Sequence, residues 1–245
     1  MRLDLCTWEE VQRHLETHRA ILVPIGSHEQ HGPTGFIGTD AICPETVARE
    51  FGDRDGVLVG PTLGIGVAQH HLAFPGSVAL RPTTLIAVIT DVVRSLARHG
   101  FTHFHFLNGH GGNIATVQAA FAEIYGEASF AATASTLHLK LDNWFTGRRV
   151  LALTRELYGD ANGQHATANE VALSYHAYPD HVKDAQLHPK VAPNGRFRDA
   201  ADYRARFPDG RMGSDPSLAT VEDGGHLLEA AVEDLRDAHR SFTKA

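Results

Sequence analysis

Apolar and polar positions along the chain fall into blocks whose period changes from one block to the next. Residues 7–19 carry a helical pattern, with Thr7 as the predicted N-cap and Glu9 and Glu10 in the first turn. Ile21, Leu22, Val23, Pro24 and Ile25 then form a short apolar run ending at Gly26, the pattern of a buried strand. Thr39 is placed to cap a helix reaching about residue 54, and 57–62 predicts a second strand. A loop rich in Gly and Pro, 64–82, precedes a helix over 83–99. There Leu85, Val88, Ile89, Val92 and Leu96 recur at helical spacing until Gly100 stops the pattern. A third strand is predicted at 102–107, a helix at 114–125 and a fourth strand at 130–136. Helical patterns return at 144–158, 165–176 and 218–242. Strands alternating with helices imply βαβ units and a mostly parallel sheet covered on both faces. Residues 183–217 break the rhythm: they are rich in Pro, Gly, Asp and Arg, with weak periodicity. An excursion of that length inside a compact domain predicts either a subunit contact or a cover over an active site.

Composition narrows the class. At 245 residues, the chain fits one large α/β domain, taken here as 1–245. Apolar residues make up 42% and charged residues 21%, ordinary for a water-soluble globular chain. A net charge of −7 argues against a nucleic-acid partner held through its phosphates. Cys6 and Cys43 are the two cysteines, too few for a disulfide framework, which makes the cytoplasm the expected location. No apolar run approaches the length of a membrane span. The outlier is histidine, with 17 copies spread along the sequence. His14, His18, His99, His138, His181 and His188 lie in polar surroundings and predict exposed or capping roles.

Chemistry concentrates where strands end. Glu29 and His31 follow the first strand, and in an extended segment they point the same way. Asp40 opens the next helix, where backbone N–H groups favour an ionised carboxylate. His110, within Asn108-Gly109-His110-Gly111-Gly112-Asn113, follows the third strand. Ligand sites in parallel sheets form beyond these strand ends, so Glu29, His31, Asp40 and His110 are candidate ligands for a divalent metal. His103 and His105 alternate with Phe104 and Phe106 and predict buried positions within or behind the site. His165 and Glu170 are five apart. They reach one site if His165 precedes its helix, with Glu170 as a ligand and His165 as a proton carrier near neutral pH. A metal-stabilised binding protein without catalysis, and a metal-assisted isomerase, use the same residue types.

The joint pattern resembles the creatininase family. It rests on Glu29 through Asp40, on His71-Leu72-Ala73-Phe74-Pro75-Gly76, and on the Asn-Gly-His-Gly-Gly-Asn loop. The His165-to-Glu170 element and Gly213-Ser214-Asp215-Pro216-Ser217-Leu218-Ala219 complete it, so that it spans roughly residues 18–230. The resemblance implies a three-layer α/β/α fold, a homohexamer and one or two divalent ions such as zinc, manganese or iron. It implies hydrolysis of an amide C–N bond in a small molecule, a cyclic amide or a formamide. By position Glu29, His31, Asp40 and His110 match ligands, Asp40 the bridge, and His165 the catalytic histidine. Creatinine-cleaving members carry a Glu where this chain has Gly112, which makes Glu170 the replacement ligand and another amide the expected substrate. His71 and Trp144 are candidate substrate contacts. Other members of similar pattern cleave formamides of pyrimidine nucleotide precursors or trim a short peptide, and these remain the alternatives.

Overall fold

A computed structural model describes residues 1–244. Helix α1 (Trp8–Leu15) starts at Thr7, whose hydroxyl and the Glu10 carboxylate form the reciprocal capping box. Strand β1 (Ala20–Ile25) pairs in parallel with β2 (His103–Asn108), and β2 with β3 (His138–Asn143), in the order β1-β2-β3. Helices α2 (Thr39–Asp55), α3 (Pro82–Ala97) and α4 (Ile114–Phe130) fill the connections, and α5 (Arg148–Tyr158), α6 (Ala168–Ala177), α7 (Ala200–Arg206) and α8 (Val221–Thr243) follow.

Alternation along the strands builds the layers. Ile21, Val23, Ile25, Phe104 and Phe106 pack against Leu85, Ile89 and Val93 of α3 and Val117, Ala120 and Ile124 of α4. Leu22 and Leu107 face the other way, onto Val47 and Phe51 of α2, Val150 of α5, Leu173 of α6 and Leu227, Val232 and Leu235 of α8. The sheet therefore lies between two helical layers, the expected α/β/α arrangement.

Three predicted elements differ. The stretch 57–62 is not a continuous strand; it runs beside β1 through isolated bridges at Val59 and Leu63. Leu22 N–H donates to Leu58 C=O and Gly60 N–H to Leu22 C=O, at 3.0 and 2.8 Å. Pro24 and Pro61 have no N–H to continue that ladder. Residues 130–136 are not the next strand: α4 runs on to Phe130, and the strand is β3, whose Leu139 and Leu141 alternate with Lys140 and Asp142. Thr39 does not cap α2 but begins it after Gly38, its hydroxyl donating to Phe36 C=O at 2.8 Å.

Candidate metal centre

Two strand ends and one helix start meet at one point. β1 leads through Ser27 into Glu29, Gln30 and His31; β2 leads into Gly109 and His110; α2 supplies Asp40 from its first turn. The approach leaves no space for side chains, since a Cβ on Gly26 or Gly109 would overlap the Asp40 carbonyl oxygen. Asn108 and Asn113 tie the loops. Asn108 Nδ2 donates to His110 C=O at 2.6 Å, and Asn113 Nδ2 donates to Gly26 C=O at 2.9 Å. Asn113 Oδ1 accepts from Val67 N–H at 2.9 Å.

The side chains converge as two triads sharing one carboxylate. Glu29, Asp40 and His110 place ligand atoms within 4.8 Å of one another, and so do His31, Asp40 and Glu170. His110 Nδ1 lies 3.0 Å from Asp40 Oδ2 and 3.3 Å from Glu29 Oε2. His31 Nε2 lies 3.1 Å from Asp40 Oδ1 and 3.7 Å from Glu170 Oε1. Glu29 is fully buried, and neither of its oxygens nor Asp40 Oδ2 makes a well-aligned hydrogen bond. Orphaned buried carboxylate oxygens facing imidazole nitrogens are costly alone and suited to a divalent cation.

Each imidazole has one nitrogen committed elsewhere. His31 Nδ1 donates to Glu29 C=O at 3.0 Å and His110 Nε2 to Val67 C=O at 3.0 Å. The remaining nitrogen of each faces carboxylates, where it holds a metal ion or, without one, a second proton. Burial opposes that proton, but the charge of Asp40, with Glu170 and Glu29 behind it, raises His31 to about 10. His110 rises to about 9 against the same cost, through Glu29 and Asp40. Burial, together with the Asp40 charge, pushes Glu29 up to about 8. Asp40 is buried too, yet the His31 and His110 charges hold it far below the carboxylate range. Burial raises Glu170, whose Oε1 accepts from Thr167 N–H at 2.6 Å, so the same carboxylate caps α6.

His165 and His71 lie on the other side of Glu29. His165 precedes α6, as the five-residue spacing required, with Nδ1 3.6 Å from Glu29 Oε1. His71, on the turn Gln69–His71, has Nε2 3.2 Å from the same oxygen. The two rings stack at 4.3 Å. Burial, then the nearby His31 charge, holds His165 well below its usual range; burial and the neighbouring His165 do the same for His71. Above these groups a cavity of about 380 Å³ opens, walled by Phe145, Leu151, Thr154, Phe197, Tyr203 and Met212. Trp144 is not among its walls. The indole is buried in the α2/α8 core, and the next residues, Phe145 and Thr146, face the cavity in its place.

The family model for creatininase, creatinine amidohydrolase, matches residues 4–239. A creatinine amidohydrolase of Pseudomonas putida is 28% identical over 248 residues, covering 96% of this chain and 94% of that one. A mycofactocin precursor peptide peptidase of Mycolicibacterium smegmatis is 38% identical over 232 residues, covering 89% and 83%. Among solved structures, a manganese creatininase superposes with TM-score 0.86 at 25% identity, over 100% of this chain and 99% of that one. The chain belongs to the creatininase family.

As a creatininase-family chain it is a hydrolase acting on amide C–N bonds. One feature of its metal-binding pocket is local to Gly112. A Cβ there would overlap His110 Nε2 and stand 2.8 Å from Val67 C=O, so a longer side chain at 112 displaces His110 from this orientation. The residues that sequence reasoning passed over are Gln30, His70, Phe197 and Tyr203. Gln30 lies between two ligand candidates, but its side chain meets His71, His165 and Gly210, all distant in sequence. The other three reach the cavity through long loops, and no local pattern marks them.

Proposed function

We propose that this chain hydrolyses the amide C–N bond of a small molecule other than creatinine, a cyclic amide or a formamide. The observation that carries the reading is the pair of triads sharing Asp40 at the floor of the cavity. Glu29, Asp40 and His110 would hold one divalent ion, and His31, Asp40 and Glu170 a second. Oxygen and nitrogen donors of this kind suit zinc, manganese or iron. When bound, such ions lower the pKa of water and polarise a carbonyl. His165 starts neutral, so it takes the proton released by the attacking water and passes it to the leaving nitrogen. His71, beside it, orders the substrate end of the site. The core position of Trp144 leaves Phe145 and Thr146 to contact substrate instead. Gly112 supports a substrate other than creatinine, because Glu170 then completes the second triad without a carboxylate on that loop.

The test is metal analysis of the purified protein with a hydrolysis screen of cyclic amides, formamides and short peptides. Asp40→Ala loses bound metal and activity together; His165→Ala keeps the metal and loses at least about a hundredfold in kcat. Equal metal loss in both variants would overturn the separation of roles, and rapid creatinine turnover would overturn the substrate. A second reading, trimming of a short peptide, is favoured by the 38% identity to a peptide peptidase. Release of an amino acid or dipeptide, rather than formate or a ring-opened acid, decides for it.

The proposal extends to one domain over the whole chain, to the cytoplasm, where free Cys6 and Cys43 stay reduced, and to a closed homohexamer. Leu5 and Trp8 support an assembly, each 73% exposed beside an apolar groove lined by Leu3, Val11 and Leu96. Light scattering at micromolar concentration is expected to give several times 26.6 kDa, and a fully active species near 26.6 kDa would rule the assembly out.

A further inference from the structure

Gln30 lies between His71 and His165, which stand outside the two triads that share Asp40, and the residue is 7% exposed. Both ends of its amide are assigned by backbone groups. Oε1 accepts from Gly32 N–H at 2.8 Å, and Nε2 donates to Gly210 C=O at 2.9 Å. A flipped amide would set two oxygens and two N–H groups against each other at these contacts, so the orientation is fixed.

That orientation decides where the neighbouring protons sit. His71 Nδ1 lies 2.9 Å from Gln30 Nε2. An amide nitrogen accepts no hydrogen bond, so His71 Nδ1 is the acceptor, and a neutral His71 carries its proton on Nε2. His71 Nε2 is the atom that faces Glu29 Oε1 at 3.2 Å. His165 Nε2 lies 2.8 Å from the Gln30 carbonyl oxygen and 3.0 Å from Gln30 Nε2. Two lone pairs do not approach to 2.8 Å, so His165 Nε2 carries a proton and donates it to that carbonyl. The two amide hydrogens are then committed to Gly210 and His71, and His165 Nδ1 is left bare, 3.6 Å from Glu29 Oε1.

We infer that Gln30 is a positioning residue: its amide and its backbone carbonyl together set the tautomers of His71 and His165. The histidine that exchanges protons therefore presents a bare Nδ1 to the reacting atoms, and the one beside it presents an N–H to Glu29. The backbone carbonyl acts on His165 whatever side chain stands at 30, whereas His71 answers to the side chain alone. The consequence for catalysis rests on the hydrolase reading above; the tautomers do not.

The experiment is nitrogen-15 magnetic resonance of histidine-labelled protein loaded with zinc, because bare and protonated ring nitrogens have well-separated shifts. Single His71→Asn and His165→Asn variants assign the signals. In the unaltered protein both rings are expected as the Nε2–H form, and an Nδ1–H form for either ring would overturn the inference. In Gln30→Glu an ionised side chain can only accept at that position, so His71 moves to the Nδ1–H form. In Gln30→Met, of similar size, His71 loses its fixed tautomer and shows a mixture, while His165 stays Nε2–H and zinc content is unchanged. Unchanged His71 shifts in both folded variants would show that Gln30 does not set the tautomer. Should one variant fail to fold, the other and the unaltered protein still decide. If the screen finds no amide turnover at all, the hydrolase reading fails while these signals judge Gln30 independently. Where turnover is found, Gln30→Met lowers kcat by about tenfold or more with KM changed by less than about twofold.

Discussion

At the residue scale, His31 and His110 each spend one ring nitrogen on a backbone carbonyl, so a cation must displace whatever proton the other nitrogen holds. With His31 raised to about 10 and His110 to about 9, both rings are doubly protonated at neutral pH in the metal-free protein. The sign follows: these folded-state values lie above the ordinary histidine value, so their contribution to metal-free stability is full below about 6.5 and lost as pH rises through 9 to 10. Metal binding runs the other way and strengthens over the same rise, because each imidazole must give up its proton. Calorimetric titration of manganese into metal-free protein near neutral pH, in two buffers of different ionisation enthalpy, is expected to show at least two protons released per chain. Release of none would mean that these two imidazoles are not ligands. Glu29, His31, Asp40 and His110 were legible because each stands in a Gly-flanked loop at a strand end or helix start, where a buried charge has few other uses. Trp144 shows the limit of that reasoning: being near the site in sequence did not distinguish an indole in the core from one in the cavity. Gln30 shows the other limit, since its partners stand at 71, 165 and 210, and no local pattern brings those together.

At the element scale, β2 carries polar side chains into the core. His105 is fully buried on the α8 face, with Nε2 2.8 Å from Asp142 Oδ2 and Nδ1 3.1 Å from His239 Nδ1. His103 and His138 stack at 4.4 Å beyond them, Phe242 meets His103 and His105 edge-on, and Lys140, Asp55, Arg236 and Arg240 complete the charged surroundings. Burial, then His105, lowers His239 to about 4. The folded value lies below the unfolded one, so the unfolded chain binds the extra proton first. The docking of α8 is thus fully favoured above about 6.5 and weakened as pH falls toward 4, by at most about 3 kcal/mol. Urea denaturation of the protein and of His239→Leu should give stabilities that differ most near neutral pH or change sign of difference near pH 4. Parallel pH curves would show that His239 is not the acid-sensitive group. The sequence showed the alternation of His103 and His105 with two phenylalanines and so predicted burial, which holds for His105 while His103 is half-buried; the partner of His105 lies 134 residues away on α8. β3 escaped for the same reason. Its alternation of two leucines with Lys and Asp looks like surface until His105, in register with Lys140, is seen to reach Asp142.

At the scale of the whole molecule, the excursion 183–217 is the part whose role composition left open between cover and contact. Phe197, Tyr203 and Met212 from it wall the cavity, so it covers the site. Three arginines of this segment are engaged within the chain. Arg206 pairs with Asp202, Arg204 lies over the Phe74 ring at 4.3 Å, and Arg211 is fully buried. Arg211 is the fastening. Its guanidinium donates to Asp209, to Lys190 C=O at 2.8 Å, to Pro189 C=O at 2.7 Å and to Ser214 C=O at 3.0 Å. Ser214 in turn donates to His165 C=O at 2.7 Å, which joins the cover to the loop that carries His165. The planar guanidinium brings five donors in a fixed fork to these groups, whereas a lysine ammonium has three. Arg211→Met removes that charge and leaves Asp209 and three carbonyls short of donors, an expected loss of about 3 kcal/mol. Arg204→Met removes one exposed cation–π contact, an expected loss of under about 1 kcal/mol. The ordering is what urea denaturation tests, with limited proteolysis as the local probe: Arg211→Met should be cut first within 183–217, and its KM should rise as the cavity wall loosens. If Arg204→Met proved the more damaging change, the cover would be held from its exposed helix rather than from its buried arginine.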